Sequence, residues 1–441
     1  MRPAAADARH ALGHARPRSR CANLWFARYG ALQFALNFVA LPLYVFLPAY
    51  YARAGAMGLA EIGAVLFASR LFDALIDPLL GRVADRALRR GRAWRLIALG
   101  SAPLVLGFCA LLAMPRALAH DRHPATFDAL VLLALGLTYL GFSTASVTYQ
   151  AWGAAIEPDT SSRARLFAWR EALGLFGVLF AAMATETGGA PAYALVFCAS
   201  LGAGLVLLRR VPRPTAAPHA PDAARKLREA VEPLRHAVFR RLLGLYAVSG
   251  IAASLPATLV LFFIRDRLAA PQLSGAFLFI YFGFAALGAP CWGRLVQRLG
   301  VAPAWFVGML GSALVFSFAA TLHAGDVRLY GVVCAASGLM LGADLILPPT
   351  LLADLIRILG HSGRLEGAYF GLWNMAAKLT LAIAAGVALP LLAALGYTPG
   401  TSAPGAFAPL VLAYCLLPAA LKLAAAGLLW LGWMRRRGAP H

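Results

Sequence analysis

The sequence predicts an all-α polytopic membrane protein with twelve transmembrane helices in two six-helix halves. Its 441 residues are 61% hydrophobic and only 13% charged, and the mean hydropathy is +0.70. Twelve apolar stretches approach the length of about 20 residues that a helix needs to cross a bilayer. A polar, basic segment separates the sixth stretch from the seventh. A water-soluble domain does not contain such a series of apolar stretches.

The apolar stretches set the expected domain boundaries. They lie near residues 27–50, 58–81, 94–114, 127–153, 168–187, 191–209, 242–264, 271–293, 302–322, 328–353, 366–396 and 406–433. We therefore predict five parts, which are an N-terminal tail (1–26), an N-terminal half (27–209), a basic linker (210–241), a C-terminal half (242–433) and a C-terminal tail (434–441). Prolines at 212, 214, 218 and 221, followed by a charged run, distinguish the linker from its neighbours.

The arginines are concentrated in alternate loops. One group lies between the second and third spans, a second lies in the linker, and both tails contain more. Because loops rich in Lys and Arg stay on the cytoplasmic side, we expect both termini in the cytoplasm of a bacterial cell and the chain in its inner membrane. The net charge of +21 then reflects topology. We expect a monomer in the lipid bilayer and no nucleic-acid partner.

The chain shows no pattern typical of an enzyme. Its six cysteines have no paired spacing and lie mostly within spans, as small core residues do. Most of the histidines lie in predicted loops or tails, and the sequence contains no metal-ligand cluster and no nucleophile motif. We expect no enzymatic activity, no metal site and no cofactor.

Three charged residues fall within the second span. Arg70, Asp73 and Asp77 are spaced i, i+3 and i+7, so they share one face of a helix. A charge at the bilayer centre costs about 2.5 to 3.5 kcal/mol on insertion scales, and it usually faces the bundle interior and serves function. Two carboxylates one turn apart repel each other, which favours binding of a proton or cation. Arg70 is expected to hold the acids ionised or to form a permanent pair with Asp73.

A local repeat relates the two halves. Residues 78–86 (PLLGRVADR) align with 290–298 (PCWGRLVQR), and Pro, Gly and two Arg recur in register. Two six-span halves of this kind resemble the major facilitator architecture. Asp73 and Asp77 align with Ala285 and Ala289, so the scaffold does not require the carboxylates. We predict cytoplasmic gating loops that contain Gly81, Arg82, Asp85, Arg86, Gly293 and Arg294.

A lysine lies deep in the eleventh span. Lys378 is about 12 residues from the start of this span, or roughly 18 Å along a helix. Its ammonium group therefore needs an acidic partner from another helix. We predict Asp73 as the first choice and Asp344 of the tenth span as the second. An interhelical lock with no part in coupling is the alternative.

Polar and aromatic residues within the spans are candidates for contact with a solute. Amides hydrogen-bond hydroxyl groups, and aromatic rings stack on sugars or on apolar molecules. The candidates are Gln33, Asn37, Tyr149, Gln150, Trp373 and Asn374. Packing between helices is the alternative for each aromatic residue.

Three motifs resemble those of the glycoside-pentoside-hexuronide:cation symporters, the melibiose permease family. They are RLFDALIDPLLGRVADR at 70–86, GRLEGAYFG at 363–371 followed by Lys378, and TYQAW at 148–152 leading to Arg163, Arg165 and Arg170. The similarity extends from about Arg28 to the eleventh span. It implies a major facilitator fold, paired acids that bind the coupling ion, and symport of a sugar or glycoside by alternating access. It also adds Arg170 to the cavity candidates.

Some positions differ from the melibiose-type pattern. Ile76 stands where sodium-coupled members often have Asn, no carboxylate occurs near Ala145 and Ser146, and Asn37 aligns with an Asp of the sugar-binding members. A hard ion such as sodium prefers several oxygen ligands, so we favour a proton and leave sodium open. A lipid-like or other non-sugar cargo, as in the related lysophospholipid symporters, and a non-transporting sensor of this fold are the alternatives.

Overall fold

The structure is a bundle of long helices. The computed structural model describes residues 19–41, 43, 59–117, 124–157, 159–187, 189–213, 231–397 and 407–435. These residues form twelve long helices: α1 (Ser19–Leu41), α2 (Leu59–Arg89), α3 (Ala93–Ala117), α4 (Pro124–Ile156), α5 (Thr160–Thr187), α6 (Gly189–Leu208), α7 (Ala237–Phe262), α8 (Ser274–Leu299), α9 (Val301–Ala319), α10 (Val327–Ile358), α11 (Glu366–Ala394) and α12 (Ala408–Met434).

Most of these helices can cross a membrane. Eight of them are long and apolar enough by length and hydropathy alone. The other four in the described part of the chain are α1, α2, α5 and α11, and they contain the polar residues Asn37, Asp73, Arg170 and Lys378. Asp73 and Arg170 are buried, so these helices turn polar groups toward protein. The prediction of an all-α, twelve-span membrane protein is confirmed.

Several helices continue beyond the apolar stretches. α1 begins at Ser19, within the predicted tail, α2 continues to Arg89 and α8 to Leu299. The six residues predicted to form gating loops (Gly81, Arg82, Asp85, Arg86, Gly293 and Arg294) therefore lie in helical turns. The loop placement is wrong, and the gating role stays a prediction. Ala, Leu and Arg are strong helix formers. α2 and α8 therefore continue until a glycine with positive φ follows them, Gly91 after α2 and Gly300 after α8.

The helices pack in the same pairs in both halves. α1 contacts α5 and α6, α3 contacts α4, and α2 contacts α4. The corresponding pairs, which are α7 with α11 and α12, α9 with α10, and α8 with α10, are also in contact. The halves meet mainly through α2 against α11 and α5 against α8. In the repeat, α2 corresponds to α8 and α5 corresponds to α11. Each of these two contacts is therefore the counterpart of the other. Most of the linker, at 214–230, lies outside the described residues.

The two halves approach each other closely at one end of the bundle. This end, called the basic end below, contains the junctions α2–α3, α4–α5, α8–α9 and α10–α11, and five arginines lie at or beside the first of them (Arg86, Arg89, Arg90, Arg92 and Arg95). A Cβ atom added at Gly81 would lie 2.1 Å from the carbonyl oxygen of Gly367, and one at Gly371 would lie 2.5 Å from that of Asp77. Only glycine allows such backbone proximity between helices.

Candidate functional site

A buried lysine of the C-terminal half binds two carboxylates of the N-terminal half. Lys378 Nζ on α11 lies 2.7 Å from Asp73 Oδ1 and 2.7 Å from Asp77 Oδ2, both on α2. It also donates a hydrogen bond to Ser143 Oγ on α4 (2.7 Å), and Ser143 Oγ donates to Asp73 Oδ1 (2.6 Å). These four residues form the Lys378 cluster. It links α2, α4 and α11 across the interface between the halves.

The Lys378 cluster carries an unbalanced charge. Asp73 and Asp77 are 2% and 0% exposed, whereas 20% of the Lys378 side chain is accessible. Two carboxylates and one ammonium sum to one negative charge. Neither oxygen of Asp77 receives a hydrogen bond with favourable angles from the described residues. The side chain of Arg70, the third charged residue predicted here, lies outside the described residues.

Close helix packing brings the lysine to the acids. Gly367 and Gly371 lie one turn apart on α11, and both face the α2 backbone at Gly81 and Asp77. Lys378 follows Gly371 by two turns on a similar face. The small side chains allow α11 to approach α2, so the lysine stem can reach both carboxylates.

Asp85 and Arg89 of α2 close the basic end on one side. The Asp85 carboxylate accepts hydrogen bonds from the backbone N–H groups of Gly367 (2.5 Å) and Ala368 (2.9 Å) in the first turn of α11. A carboxylate there satisfies unpaired N–H groups and interacts favourably with the helix dipole. Arg89 Nη1 donates to the carbonyl oxygen of Arg364 (2.8 Å). Arg86 and Arg294, two of the predicted gating residues, are exposed.

A second set of contacts closes the basic end between α5 and α10. Asp354 Oδ1 accepts hydrogen bonds from Arg163 Nη1 (2.6 Å) and Thr160 Oγ1 (2.7 Å). Arg163 also donates through Nε to the carbonyl oxygen of Glu157 (2.9 Å). Gly293 of α8 packs near Ala168 of α5. Asp85 and Asp354 thus bind the starts of α11 and α5, which correspond in the repeat.

His361 lies in the α10–α11 connection beside these contacts. Its Nδ1 is 2.9 Å from the hydroxyl oxygen of Tyr369, and its ring makes an edge contact with His236 at 4.9 Å between centroids. Burial lowers the pKa of His361 below its usual value, and the positive charges of Arg364 and His236 lower it further.

Most of the predicted cavity residues are half-buried and already make a polar or aromatic contact. Gln33 Nε2 donates to Asn37 Oδ1 (2.9 Å) on α1, and Gln150 Nε2 donates to Ser146 Oγ (3.0 Å) on α4. Trp373 of α11 stacks on Tyr246 of α7, with 3.8 Å between ring centroids. Asn374 is half-buried. Whether these residues contact a solute stays a prediction.

Tyr149 and Trp373 are both buried in the packed core, and Tyr149 has no exposed surface. The Tyr149 ring stacks on Tyr29 at 4.3 Å. Its hydroxyl group donates to the carbonyl oxygen of Tyr29 (2.6 Å), and the Tyr29 hydroxyl donates to the carbonyl oxygen of Tyr149 (2.7 Å). The packing alternative therefore holds for this residue, and its placement in a solute cavity is wrong.

Arg170 of α5 is a buried cation with a nearby acid. It is 4% exposed, its Nε donates to Glu171 Oε1 (2.9 Å), and its Nη2 also contacts that oxygen. Its guanidinium carbon lies 4.8 Å from the centroid of the Phe167 ring. Nη1 has no hydrogen-bond partner among the described residues. The Arg170 side chain therefore retains donor capacity.

Asp344 is not a partner of Lys378, so the second-choice prediction is wrong. Its Oδ2 lies 2.5 Å from Lys422 Nζ of α12, and its Oδ1 accepts a hydrogen bond from Trp305 Nε1 (3.1 Å). Ser249 Oγ of α7 also donates to Asp344 Oδ1 (3.4 Å). Sequence reasoning missed Lys422, although it is the one charged residue in α12, and it missed Ser143, which carries no charge signal.

Known proteins share this architecture. The profile of the MFS/sugar transport protein family matches residues 28–432. A segment of 137 residues, 31% of this chain, is 31% identical to the "Glucuronide carrier protein homolog" of Escherichia coli (strain K12) and spans 29% of that protein. The chain thus spans less than a third of the length of this relative.

Among the solved structures that resemble the fold are two transporters. One is a bacterial homologue of the iron transporter ferroportin in its outward-facing state (TM-score 0.72, 15% identity, 93% of this chain and 98% of that chain). The other is the major facilitator transporter FucP in the outward conformation (TM-score 0.67, 14% identity, 92% and 98%). A family match across nearly the whole chain points to transport rather than enzymatic catalysis. The chain belongs to the MFS/sugar transport protein family.

Proposed function

We propose that this transporter is a cation-coupled symporter of a small organic solute, with the Lys378 cluster as the ion site. The observation that carries the proposal is the contact of Lys378 with Asp73 and Asp77 across the interface between the halves. Alternating access moves one half against the other. An ion that replaces Lys378 at Asp77 would therefore act on the contact between the halves.

The charge of the cluster suggests how many cations bind. With one ammonium and two carboxylates, a single proton or sodium ion makes the cluster neutral. Uncompensated charge is costly at this depth, so the neutral form suits a buried site. Among the described residues, Ser143 Oγ is the neutral side-chain oxygen that is hydrogen-bonded to an acid of the cluster. Sodium prefers several oxygen ligands, so we favour a proton.

The closed basic end suggests the conformational state. We propose that the basic end faces the cytoplasm of a bacterial cell, because arginine-rich loops remain on that side of the inner membrane. The contacts of Asp85 with α11 and of Asp354 with α5 then close the cytoplasmic side. The protein would be in an outward-facing form, with its acids sealed from the cytoplasm.

The solute is proposed to be a sugar derivative with an anionic group. The curated relative is named as a glucuronide carrier homologue, and Arg170 has an unpaired Nη1 in the N-terminal half. A guanidinium group binds carboxylates with good geometry. Gln33 and Asn37, on the helix that packs against α5, offer amides for hydroxyl groups.

Uptake by proteoliposomes tests the proposal. With an inward proton gradient and no sodium, the wild-type chain should accumulate methyl β-glucuronide above its external concentration, and a protonophore should abolish this accumulation. Sodium-driven accumulation that ignores the protonophore would show sodium coupling. Equilibration of the solute without accumulation under either gradient would contradict symport.

A further inference from the structure

The C-terminal half contains a second buried lysine site, the Lys422 cluster, which consists of Ser249, Trp305, Asp344 and Lys422. Lys422 Nζ lies 2.5 Å from Asp344 Oδ2 and donates a hydrogen bond to Ser249 Oγ (2.9 Å). Trp305 Nε1 donates to Asp344 Oδ1 (3.1 Å). An ammonium that binds a carboxylate and a serine hydroxyl thus occurs here as it does at Lys378.

The two lysines lie at similar positions along their helices. Lys378 is 12 residues from the basic end of α11, and Lys422 is 12 residues from the basic end of α12. At about 1.5 Å per residue, each lies roughly 18 Å into the bundle. Binding sites of such transporters lie near the bilayer midplane, between the two halves. A solute held at the level of the Lys378 cluster is therefore also near the level of Asp344.

The Lys422 cluster differs from the Lys378 cluster in its charge balance. One carboxylate and one ammonium sum to zero, so the cluster needs no additional cation. All four residues belong to helices of the C-terminal half, namely α7, α9, α10 and α12. Their contacts therefore need not break when one half moves against the other. Both features make the Lys422 cluster unsuited to ion coupling and suited to a fixed role.

The cluster is open on the carboxylate side only. The Lys422 side chain is 1% exposed, whereas 16% of the Asp344 side chain is exposed. Lys422 and Trp305 hold the carboxylate in one orientation from inside the half. Trp305 and Ser249 donate to Oδ1 (3.1 and 3.4 Å) and Lys422 donates to Oδ2. A carboxylate has about four lone-pair sites, so Asp344 can still accept one hydrogen bond, at Oδ2. Charge-assisted hydrogen bonds of this kind are among the stronger ones.

We propose that Asp344 is a solute-binding residue of the C-terminal half, where its carboxylate accepts a hydrogen bond from a hydroxyl or ammonium group of the solute. Lys422 and Trp305 are positioning residues that hold this carboxylate in one orientation. The proposal rests on the transport function proposed above. It places an acceptor on the C-terminal half, in addition to the Nη1 donor of Arg170 on the N-terminal half.

The test uses a pair of substitutions, because a single one leaves a buried charge uncompensated. Asp344→Asn/Lys422→Met removes both charges and keeps the side-chain volumes similar. Methyl β-glucuronide, methyl β-galactoside and glucosamine are first screened for thermal stabilisation of the purified wild-type chain. The compound that stabilises it most is then titrated by calorimetry.

We expect the double variant to fold with a melting temperature close to that of the wild type and to bind this compound about tenfold to a hundredfold more weakly, as loss of one charged hydrogen bond implies. Asp266→Asn is the matched control. Asp266 is hydrogen-bonded to Tyr397 and Arg265 and lies just after the end of α7 that is remote from the basic end. This control should bind with the wild-type dissociation constant.

Deoxy analogues of the compound sharpen the test. The analogue that lacks the hydroxyl group bound by Asp344 should bind the wild type and the double variant equally well. If the double variant binds the parent compound with the wild-type constant, Asp344 is a structural residue and the inference is wrong, while the transport function stands. If none of the three compounds binds the wild-type chain, the proposed solute class is wrong and the inference falls with it.

Discussion

Lys378 of α11 lies 2.7 Å from Asp77 of α2, which belongs to the other half of the bundle. Asp77 is fully buried, and the neighbouring acid Asp73 lies at the same distance from the lysine. This contact joins a helix of each half, and alternating access moves the halves against each other. A cation that neutralises Asp77 and displaces the lysine from it would therefore weaken the interface.

Removing the lysine alone should destabilise the protein. Lys378→Met leaves two carboxylates close together in a buried site, and breaking a buried ion pair in this way costs about 3 to 5 kcal/mol. Lys378→Met/Asp77→Asn removes one of these charges and should recover much of the melting temperature. Thermal unfolding in detergent measures both. Losses that simply add in the double variant would show that the two residues are not partners.

The glycine contact at the basic end should control opening on that side. A Cβ atom at Gly367 would lie 2.0 Å from the carbonyl oxygen of Gly81, so Gly367→Ala should separate α2 from α11 there. We expect greater accessibility of this end to thiol reagents, measured with a cysteine at Ala84. Gly136→Ala is the control, because a Cβ atom there meets nothing within 4 Å. Unchanged labelling in Gly367→Ala would contradict a gate at this contact.

Acid should weaken the contacts around the α10–α11 connection. Because the pKa of His361 is lowered in the folded protein, the unfolded chain binds more protons below pH about 6.5. Stability is therefore full above this pH and falls as the pH decreases toward the folded-state pKa. We expect His361→Asn to reduce the loss of melting temperature between pH about 7.5 and about 5.5. His323→Asn, which changes an exposed histidine, should leave that loss as it is in the wild type.

The orientation of the bundle can be tested by labelling. Arg90 is exposed at the basic end, just after α2. If this end is cytoplasmic, Arg90→Cys should resist an impermeant thiol reagent in intact cells and react after permeabilisation. Arg328→Cys, at the start of α10 on the other end, should react in intact cells. The reverse pattern would invert the topology.

Much of this architecture could be predicted from the sequence, because span length and apolar content are local properties. The second-span acids and Lys378 also stand out, since charges in apolar helices are rare. The partners of Asp344 could not be predicted, because they depend on the rotation of α10 relative to α12. The role of Tyr149 could not be predicted for the same reason, because its hydrogen bond with Tyr29 depends on how α4 is rotated toward α1. Ser143 shows its role only through its distance to Lys378.

The central claim is that Asp77 binds the coupling ion in competition with Lys378. The most direct measurement compares two assays on Asp77→Asn in proteoliposomes with the same labelled solute. Counterflow, which needs alternating access but no ion gradient, should remain measurable. Accumulation driven by a proton gradient should be lost, with Asp326→Asn as a control that accumulates normally. Accumulation by Asp77→Asn at the wild-type level would contradict the claim and leave Asp77 with a structural role only.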